Sequence, residues 1–257
     1  MEWEVQIMAT NKPEKKTKTK LIGSDANKTI PYAIVEAYKS LRVQLTSILK
    51  KKNINVVAVS SPNASEGKST TSVNIAIMLS QLNKKVVLVD TDARRASIHQ
   101  KLKIDNDLGC LDVLSNNAEL EQVIKNYNPY LDIITSGKSA SNSSELFDSP
   151  EFDRMLSELK NKYDYVIVDT PPINLVSDAL VVSQKCDGLL LIVRSTITTY
   201  EAFNQTKMSV DHLNINLLGV ILNGVGANTG KYYRYKKYYG YNRYHKYYKY
   251  SNSYHKY

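Results

Sequence analysis

Between about residue 54 and residue 222 the chain alternates short apolar runs with stretches in which apolar residues recur every three or four positions. The runs Ile54–Ser60, Val86–Val89, Leu131–Thr135, Tyr165–Val168, Leu189–Val193 and Leu217–Leu222 are aliphatic and mostly uninterrupted, which predicts strands buried on both faces. Helical spacing marks Ser69–Asn83, Ser149–Lys162, Asp178–Gln184 and Thr199–Leu213, and two short helices are expected at Leu111–Leu114 and Leu120–Asn126. Pro31 opens a further helical pattern through about Lys50, carried by Ile34, Leu41, Leu45 and Ile48. Repeated strand–helix alternation with wholly apolar strands predicts an α/β fold, a mostly parallel sheet flanked by helices on both faces. Such sheets bind ligands beyond the carboxyl ends of their strands.

Both ends break this pattern. Residues 1–30 are polar and lysine-rich from Lys12 to Lys20, and a flexible basic N-terminal arm is expected there. The last 27 residues, from Lys231 on, contain no Leu, Ile, Val, Phe or Met, but 12 of the chain's 19 tyrosines. A segment without aliphatic residues cannot offset its ordering entropy by burial, so a mobile Tyr-rich C-terminal tail is expected. The expected layout is an arm at 1–30, a domain at 31–228 whose first helix is 31–52, and a tail at 229–257.

Charge sharpens the contrast. Of the formal net charge of +9, residues 231–257 carry +8 and no acid, which leaves the rest of the chain at +1. The two cysteines, Cys110 and Cys186, are far apart and form no CxxC pair, which suits a reducing compartment and argues against a disulfide framework or a zinc site. The first thirty residues contain no apolar run of signal-peptide type. No stretch approaches the roughly 20 apolar residues of a membrane-spanning helix. A soluble chain that reaches a membrane through a partner is therefore expected.

The most specific local signal is Ser60-Ser61-Pro62-Asn63-Ala64-Ser65-Glu66-Gly67-Lys68-Ser69-Thr70, which follows a strand and opens a helix. That is the context of a Walker A phosphate loop, whose backbone amides point at phosphate oxygens. Lys68 would reach the β and γ phosphates, Ser69 would offer its hydroxyl to Mg²⁺, and Thr70 would meet the α-phosphate. The general pattern has glycine where this chain has Pro62, and often glycine where it has Ser65. Two further motifs support the loop: Asp90-Thr91-Asp92-Ala93-Arg94 after one apolar strand, and Asp169-Thr170-Pro171-Pro172 after another. Carboxylates at the ends of buried strands are costly unless a cation meets them, and Mg²⁺ on a nucleotide would do so.

Taken together, these three motifs resemble the Walker A, A′ and B set of the bacterial tyrosine kinases of polysaccharide export, across about residues 31–257. Leu108-Gly109-Cys110-Leu111-Asp112-Val113-Leu114 resembles that family's Gly-Leu-x-x-Leu segment. Asn142-Ser143-Ser144-Glu145-Leu146 is similar to its Asn-Pro-x-Glu-Leu segment, with Ser143 in place of proline. Gly219–Asn223 looks like the strand whose asparagine, here Asn223, lies near adenine in related ATPases. Glu36, Lys39 and Arg42 match the Glu-x-x-Arg-x-x-Arg oligomerisation helix, with Lys39 in place of the first arginine. The extra early lysine of the partition ATPases is absent from Pro62–Ser65.

The resemblance implies a P-loop NTPase that transfers phosphate from ATP, with Mg²⁺, to tyrosine. It implies nucleotide binding by Ser65, Glu66, Gly67, Lys68, Ser69, Thr70 and Asn223, and metal binding by Ser69, Asp92 and Asp169. Lys68, Asp90 and Asp92 are the candidate catalytic residues, with Asp90 the candidate to orient or deprotonate the phenol. The implied acceptors are Tyr232, Tyr233, Tyr235, Tyr238, Tyr239, Tyr241, Tyr244, Tyr247, Tyr248, Tyr250, Tyr254 and Tyr257. A tail of 27 residues spans at most ~90 Å, enough for transfer in trans within a homo-oligomeric ring, an octamer in the family's pattern. The implied partners are a transmembrane polysaccharide co-polymerase or adaptor, which activates a separate kinase chain at the inner face of the plasma membrane, and a phosphotyrosine phosphatase. Each phosphotyrosine adds about −1.5 to −2, so four to five would neutralise the tail. A cationic tail drawn to an electronegative catalytic mouth, and released once neutralised, is the expected switch. The competing readings of the Lys/Tyr-rich tail are a nucleic-acid-binding module and a partition-type ATPase, and nucleic acid is not the expected partner.

Overall fold

The computed structural model describes residues 5–10, 21–22, 30–138 and 143–226, with backbone alone at 5–10 and 226. The tail tyrosines, Asn142 and most of residues 1–30 lie outside the described residues. In the first half of the domain, β1 (Val5–Thr10) precedes α1 (Tyr32–Lys52), β2 (Val56–Ser60), α2 (Lys68–Ser80), β3 (Val86–Asp90), α3 (Ile98–Leu102), α4 (Cys110–Leu114), α5 (Leu120–Val123), β4 (Ile124–Asn128) and β5 (Leu131–Ile134). The second half follows as α6 (Ser143–Asp148), α7 (Pro150–Lys162), β6 (Tyr165–Asp169), α8 (Asp178–Lys185), β7 (Gly188–Arg194), α9 (Tyr200–His212) and β8 (Leu217–Gly226).

The strands form one sheet in the order β1-β8-β7-β2-β6-β3-β5-β4. Each neighbouring pair runs parallel except β4 with β5. Alternate side chains of each central strand face opposite layers. Val57, Val59, Val86, Leu88 and Ile167 pack with α1, α2 and α3, and Val56, Val87, Val89, Val166 and Val168 pack with α4 to α7. Ala58, Leu189 and Leu191 pack under α8 and α9 with Ala179 and Val210. Apolar burial on both faces is the reason these strands read as continuous hydrophobic runs. The mostly parallel α/β sheet covered on both faces agrees with the sequence expectation.

Local chemistry explains the helix boundaries. Pro150 opens α7, Glu151 and Asp153 occupy its first turn and Lys160 and Lys162 its last, while Phe152, Met155, Leu156 and Leu159 are buried. α1 ends at Asn53, whose left-handed φ of 54° suits a C-terminal asparagine.

Two expectations are corrected. Helix was expected across Leu120–Asn126, but α5 stops at Val123, and Ile124–Asn128 pairs antiparallel with the open edge of β5. Lys125 fixes that strand by donating to the carbonyls of Asp105 and Leu108 and to Thr135 Oγ1. The flexible arm expected across 1–30 is not uniform either, because Val5–Thr10 adds a parallel strand to β8. Further along the same stretch, the Asn74 side chain accepts from Ile22 N at 2.7 Å and donates to Ile22 O at 2.9 Å, and Leu21 is buried. An edge strand satisfied by backbone pairing needs no long apolar run, and the lysine-rich stretch after Thr10 drew this one into the polar arm. The short α3 was also not anticipated.

Candidate active site

β2 delivers the phosphate loop, and α2 begins at Lys68 directly after it. Gly67 has φ +97°, and a Cβ there would lie 2.2 Å from Asn223 Nδ2. Glycine is therefore required by conformation and by space. Ser65, where the general pattern often has glycine, also adopts a left-handed φ of 64°. Pro62 is buried, is not among the positive-φ residues, and its carbonyl accepts from Asn174 N at 3.1 Å. The replaced first glycine thus sits where no left-handed backbone is needed.

Side chains from the neighbouring strand ends hold the loop. Glu66 is fully buried and accepts from Asn63 N at 3.0 Å and from Thr198 Oγ1 at 2.6 Å. Arg194 Nη1 donates to Ser65 O at 3.0 Å, and Asn223 Nδ2 donates to Glu66 O at 2.9 Å. Asn223, expected beside adenine, touches the loop backbone through this bond. Its own Oδ1 accepts from Gly224 N. Arg194 and Thr198 were not anticipated, since a single arginine closing β7 and a threonine just after it carry no local signal.

Asp90 and Asp169 end β3 and β6 and are register partners on adjacent parallel strands. Both are fully buried. Lys68 Nζ lies 2.7 Å from Asp92 Oδ2, 3.7 Å from Asp169 Oδ2 and 3.2 Å from Ser69 Oγ. Burial alone would lower the Lys68 pKa, but Asp169 and Asp92 reverse this and hold the ammonium above its ordinary value. Burial raises Asp169, with Lys68, Ser69 and Ser72 opposing it. Burial and then the Asp169 charge raise Asp90. Both oxygens of Asp90 accept from loop amides: Asp92 N at 3.1 Å, Ser97 N at 3.3 Å and Ile98 N at 3.2 Å.

The oxygen set fits magnesium bound to a nucleotide. Asp169 Oδ1 accepts from Ser72 Oγ at 2.8 Å, whereas its buried Oδ2 has no hydrogen-bond donor. Ser69 Oγ and Asp92 flank the same lysine. Three carboxylates against one ammonium leave an uncompensated negative charge. Mg²⁺ characteristically takes one or two carboxylates and completes its shell with phosphate oxygens and water. Among the described residues no group of three or more His, Cys, Asp or Glu side chains forms an all-protein metal cage.

A cavity of about 340 Å³ opens over these groups. Ser65, Gly67, Lys68, Ser69 and Thr70 form its loop wall, and Pro171, Pro172, Leu175 and Val176 an apolar wall. Asp92, Arg94, Arg95, Ser97 and Lys101 line it beyond β3. The lining carries four cations and one carboxylate, so the electronegative mouth expected from the sequence is corrected to a cationic one. Asp90 and Asp169 are fully buried and do not line the cavity, whereas Arg94, Arg95 and Lys101 do.

The two cysteines are free, and burial pushes both thiols up, in keeping with unreactive packing. On α1, Lys39 pairs with Glu36 at 2.7 Å on the outer face, while Arg42 is half-buried one turn on.

A strand–loop–helix phosphate cradle with a lysine aimed at acidic residues on two neighbouring strands defines a P-loop NTPase domain. A family model described as an AAA domain matches residues 54–213. Tyrosine-protein kinase YwqD of Bacillus subtilis is 33% identical over 201 residues, 78% of this chain and 85% of that protein. Tyrosine-protein kinase ptk of Acinetobacter johnsonii is 32% identical over 199 residues, 77% of this chain but 27% of its own length. The chain therefore spans about a quarter of such longer relatives. The solved kinase domain of the Escherichia coli tyrosine kinase ETK matches with a TM-score of 0.73 and 31% identity, covering 77% of this chain and 78% of that one. The chain belongs to the bacterial tyrosine-protein kinases.

Proposed function

We propose that this chain is an ATP-dependent protein-tyrosine kinase whose principal acceptors are the tyrosines of its own residues 232–257. The observation that carries the reading is Lys68 at 2.7 Å from Asp92 and 3.7 Å from Asp169, at the start of a phosphate-binding helix.

In this reading Lys68 and the amides of Ser65–Thr70 bind the β and γ phosphates, exchanging the lysine's contact with Asp92 for phosphate oxygens. Ser69, Asp92 and Asp169 would hold Mg²⁺, which neutralises charge on the phosphates when bound. The phenol oxygen of a tyrosine forms the new bond to the γ phosphorus, and the bond from that phosphorus to the β–γ bridging oxygen breaks, leaving ADP. Phosphoryl transfer of this kind needs positioning and charge stabilisation above all. Asp90 is the assigned acceptor of the phenol proton. Its Oδ2 would come within reach once the long bonds from Ser97 N and Ile98 N are exchanged for the phenol.

The layout proposed is a domain at 31–228 and a phosphoacceptor tail at 229–257, with 1–30 as an N-terminal segment. Glu36, Lys39 and Arg42 would mediate a homo-oligomeric ring, so that a tail reaches a neighbour's site. No helix among the described residues is long and apolar enough to cross a membrane. The kinase is placed at the inner face of the plasma membrane through a transmembrane adaptor of polysaccharide synthesis and export, with a phosphotyrosine phosphatase opposing it.

Incubation of the full chain with Mg-ATP, alone and with the cytoplasmic segment of such an adaptor, followed by mass-spectrometric mapping, tests the reading. Phosphotyrosine within 232–257 that disappears in Lys68→Met is the expected result. Its absence under both conditions contradicts the proposal.

A further inference from the structure

Besides Lys68, the lining of the described cavity carries Arg94, Arg95 and Lys101. Lys68 is answered by Asp92 and Asp169, and Arg94 Nε lies 3.9 Å from Asp178. Asp178 is itself buried and accepts from Ser143 and Ser144. Arg95 and Lys101 also line the cavity, yet neither side chain has an ion-pair partner among the described residues. Lys101 is only half-exposed. Two cations facing one cavity without a counter-charge offer a place for an anionic ligand.

The sheet order says which ligand this is. β6 lies between β2, which carries the phosphate loop, and β3. Lys68 reaches from the loop toward Asp92 beyond β3, so the terminal phosphate points that way. Arg194 and Asn223 brace the loop from the opposite side, at the ends of β7 and β8. Arg94, Arg95 and Lys101 continue past Asp92 along the cavity wall, on the side the kinase reading assigns to the acceptor. Beside them Leu175, 60% exposed, offers a phenol ring an apolar seat.

We propose that Arg94, Arg95 and Lys101 form a subsite for a phosphotyrosine next to the acceptor tyrosine, so that each phosphate added makes its neighbour a better acceptor. The proposal rests on the kinase reading above. The unmodified tail is a poor match for this rim, since its 27 residues carry +8 and no acid. Its tyrosines, however, include the adjacent pairs Tyr232–Tyr233, Tyr238–Tyr239 and Tyr247–Tyr248. Phosphate on one member places a dianion one residue from the next phenol, within reach of an arginine fork. The first transfer to a tail is then slow and later ones faster, which yields tails that are either unmodified or heavily modified.

The test uses a peptide spanning residues 243–251 with Tyr244→Phe and Tyr250→Phe, leaving the pair Tyr247 and Tyr248. It is made with Tyr248 unmodified or phosphorylated. Binding to the full chain is measured by fluorescence anisotropy with Mg²⁺ and a non-hydrolysable ATP analogue, and transfer to Tyr247 is measured with Mg-ATP. The phosphorylated peptide is expected to bind about tenfold tighter, the scale of one or two charge-assisted bonds. In an Arg95→Ala, Lys101→Ala double variant that ratio is expected to fall to about twofold or less. The ratio compares two peptides on one protein, so a general loss of activity does not obscure it. Equal binding by the unchanged chain, or an advantage that survives in the double variant, overturns the subsite. Transfer to both peptides without any preference would remove the subsite and leave the kinase. A binding preference without transfer to either peptide, both alone and with the adaptor's cytoplasmic segment present, would keep the subsite and remove the kinase.

Discussion

At the residue scale the site sets buried like charge against function. Asp90 and Asp169 sit side by side at zero exposure, with Asp92 beside them and one ammonium among the three. Asp169→Asn removes one of these charges and retains an acceptor for Ser72. Without nucleotide its melting temperature is expected to equal or exceed that of the unchanged chain, while phosphotransfer falls at least ~100-fold, the scale of a lost charge-stabilising group. Thermal denaturation beside a transfer assay checks this, and a loss of several degrees would show that the carboxylate stabilises the fold instead. Ser65 offers a second test. A non-glycine residue in the left-handed region is strained, so Ser65→Gly is expected to stabilise by about 0.5–1 kcal/mol in urea denaturation. Lys68, Ser69, Asp92 and Asp169 could be found in the sequence because each sits within a few residues of its motif. Arg194 and Thr198 could not, because they meet the loop from the far end of β7, and Lys101 and Leu175 line the cavity from separate segments that only the fold brings together.

At the scale of elements, the strands that bury both faces were legible because burial leaves its record in the run of apolar side chains. β1 and β4, at the two edges of the sheet, were missed because edge strands gain much of their hold from backbone pairing and tolerate Gln6, Lys125 and Asn126. The segment at Leu21–Ile22 depends on one side chain. Asn74 is almost fully buried and satisfies both backbone groups of Ile22. Asn74→Ala is expected to cost about 1–3 kcal/mol, the penalty for stranding buried polar groups. Hydrogen exchange at Ile22 should accelerate with it, and unchanged protection there would contradict the clamp. On α1, Arg42→Glu is expected to shift sedimentation toward smaller species, since the proposed ring uses that helix.

For the whole molecule, charge organises both stability and function. Burial would raise Asp187, but Lys160 at 2.7 Å and the amides of Val56 and Asn55 outweigh it and depress its pKa. Burial also opposes the shift at Asp164, where Lys84 and the Lys85 amide win. A carboxyl depressed in the folded state contributes stability above its unfolded pKa, near 4, and loses it as pH falls through the folded value. The melting temperature is therefore expected to drop between about pH 4 and pH 2, and the drop should be shallower in Asp187→Asn. The other charge pattern, a tail that is cationic in sequence and a mouth that is cationic in the fold, reverses the attraction that composition suggested. The tail's +8 was plain in the sequence, but the sign of the mouth depended on which acids the fold buries.

The central claim, transfer from one chain's site to another chain's tail, is tested most directly by mixing two variants with Mg-ATP and the adaptor's cytoplasmic segment. One keeps the site but has every tyrosine of 232–257 changed to phenylalanine, and the other is Lys68→Met with its tail intact. Phosphotyrosine mapped to residues 232–257 of the Lys68→Met chain, and absent when that chain is incubated alone, is the predicted result. No phosphotyrosine on that tail in the mixture, where the unchanged chain modifies itself or not, would contradict transfer between chains.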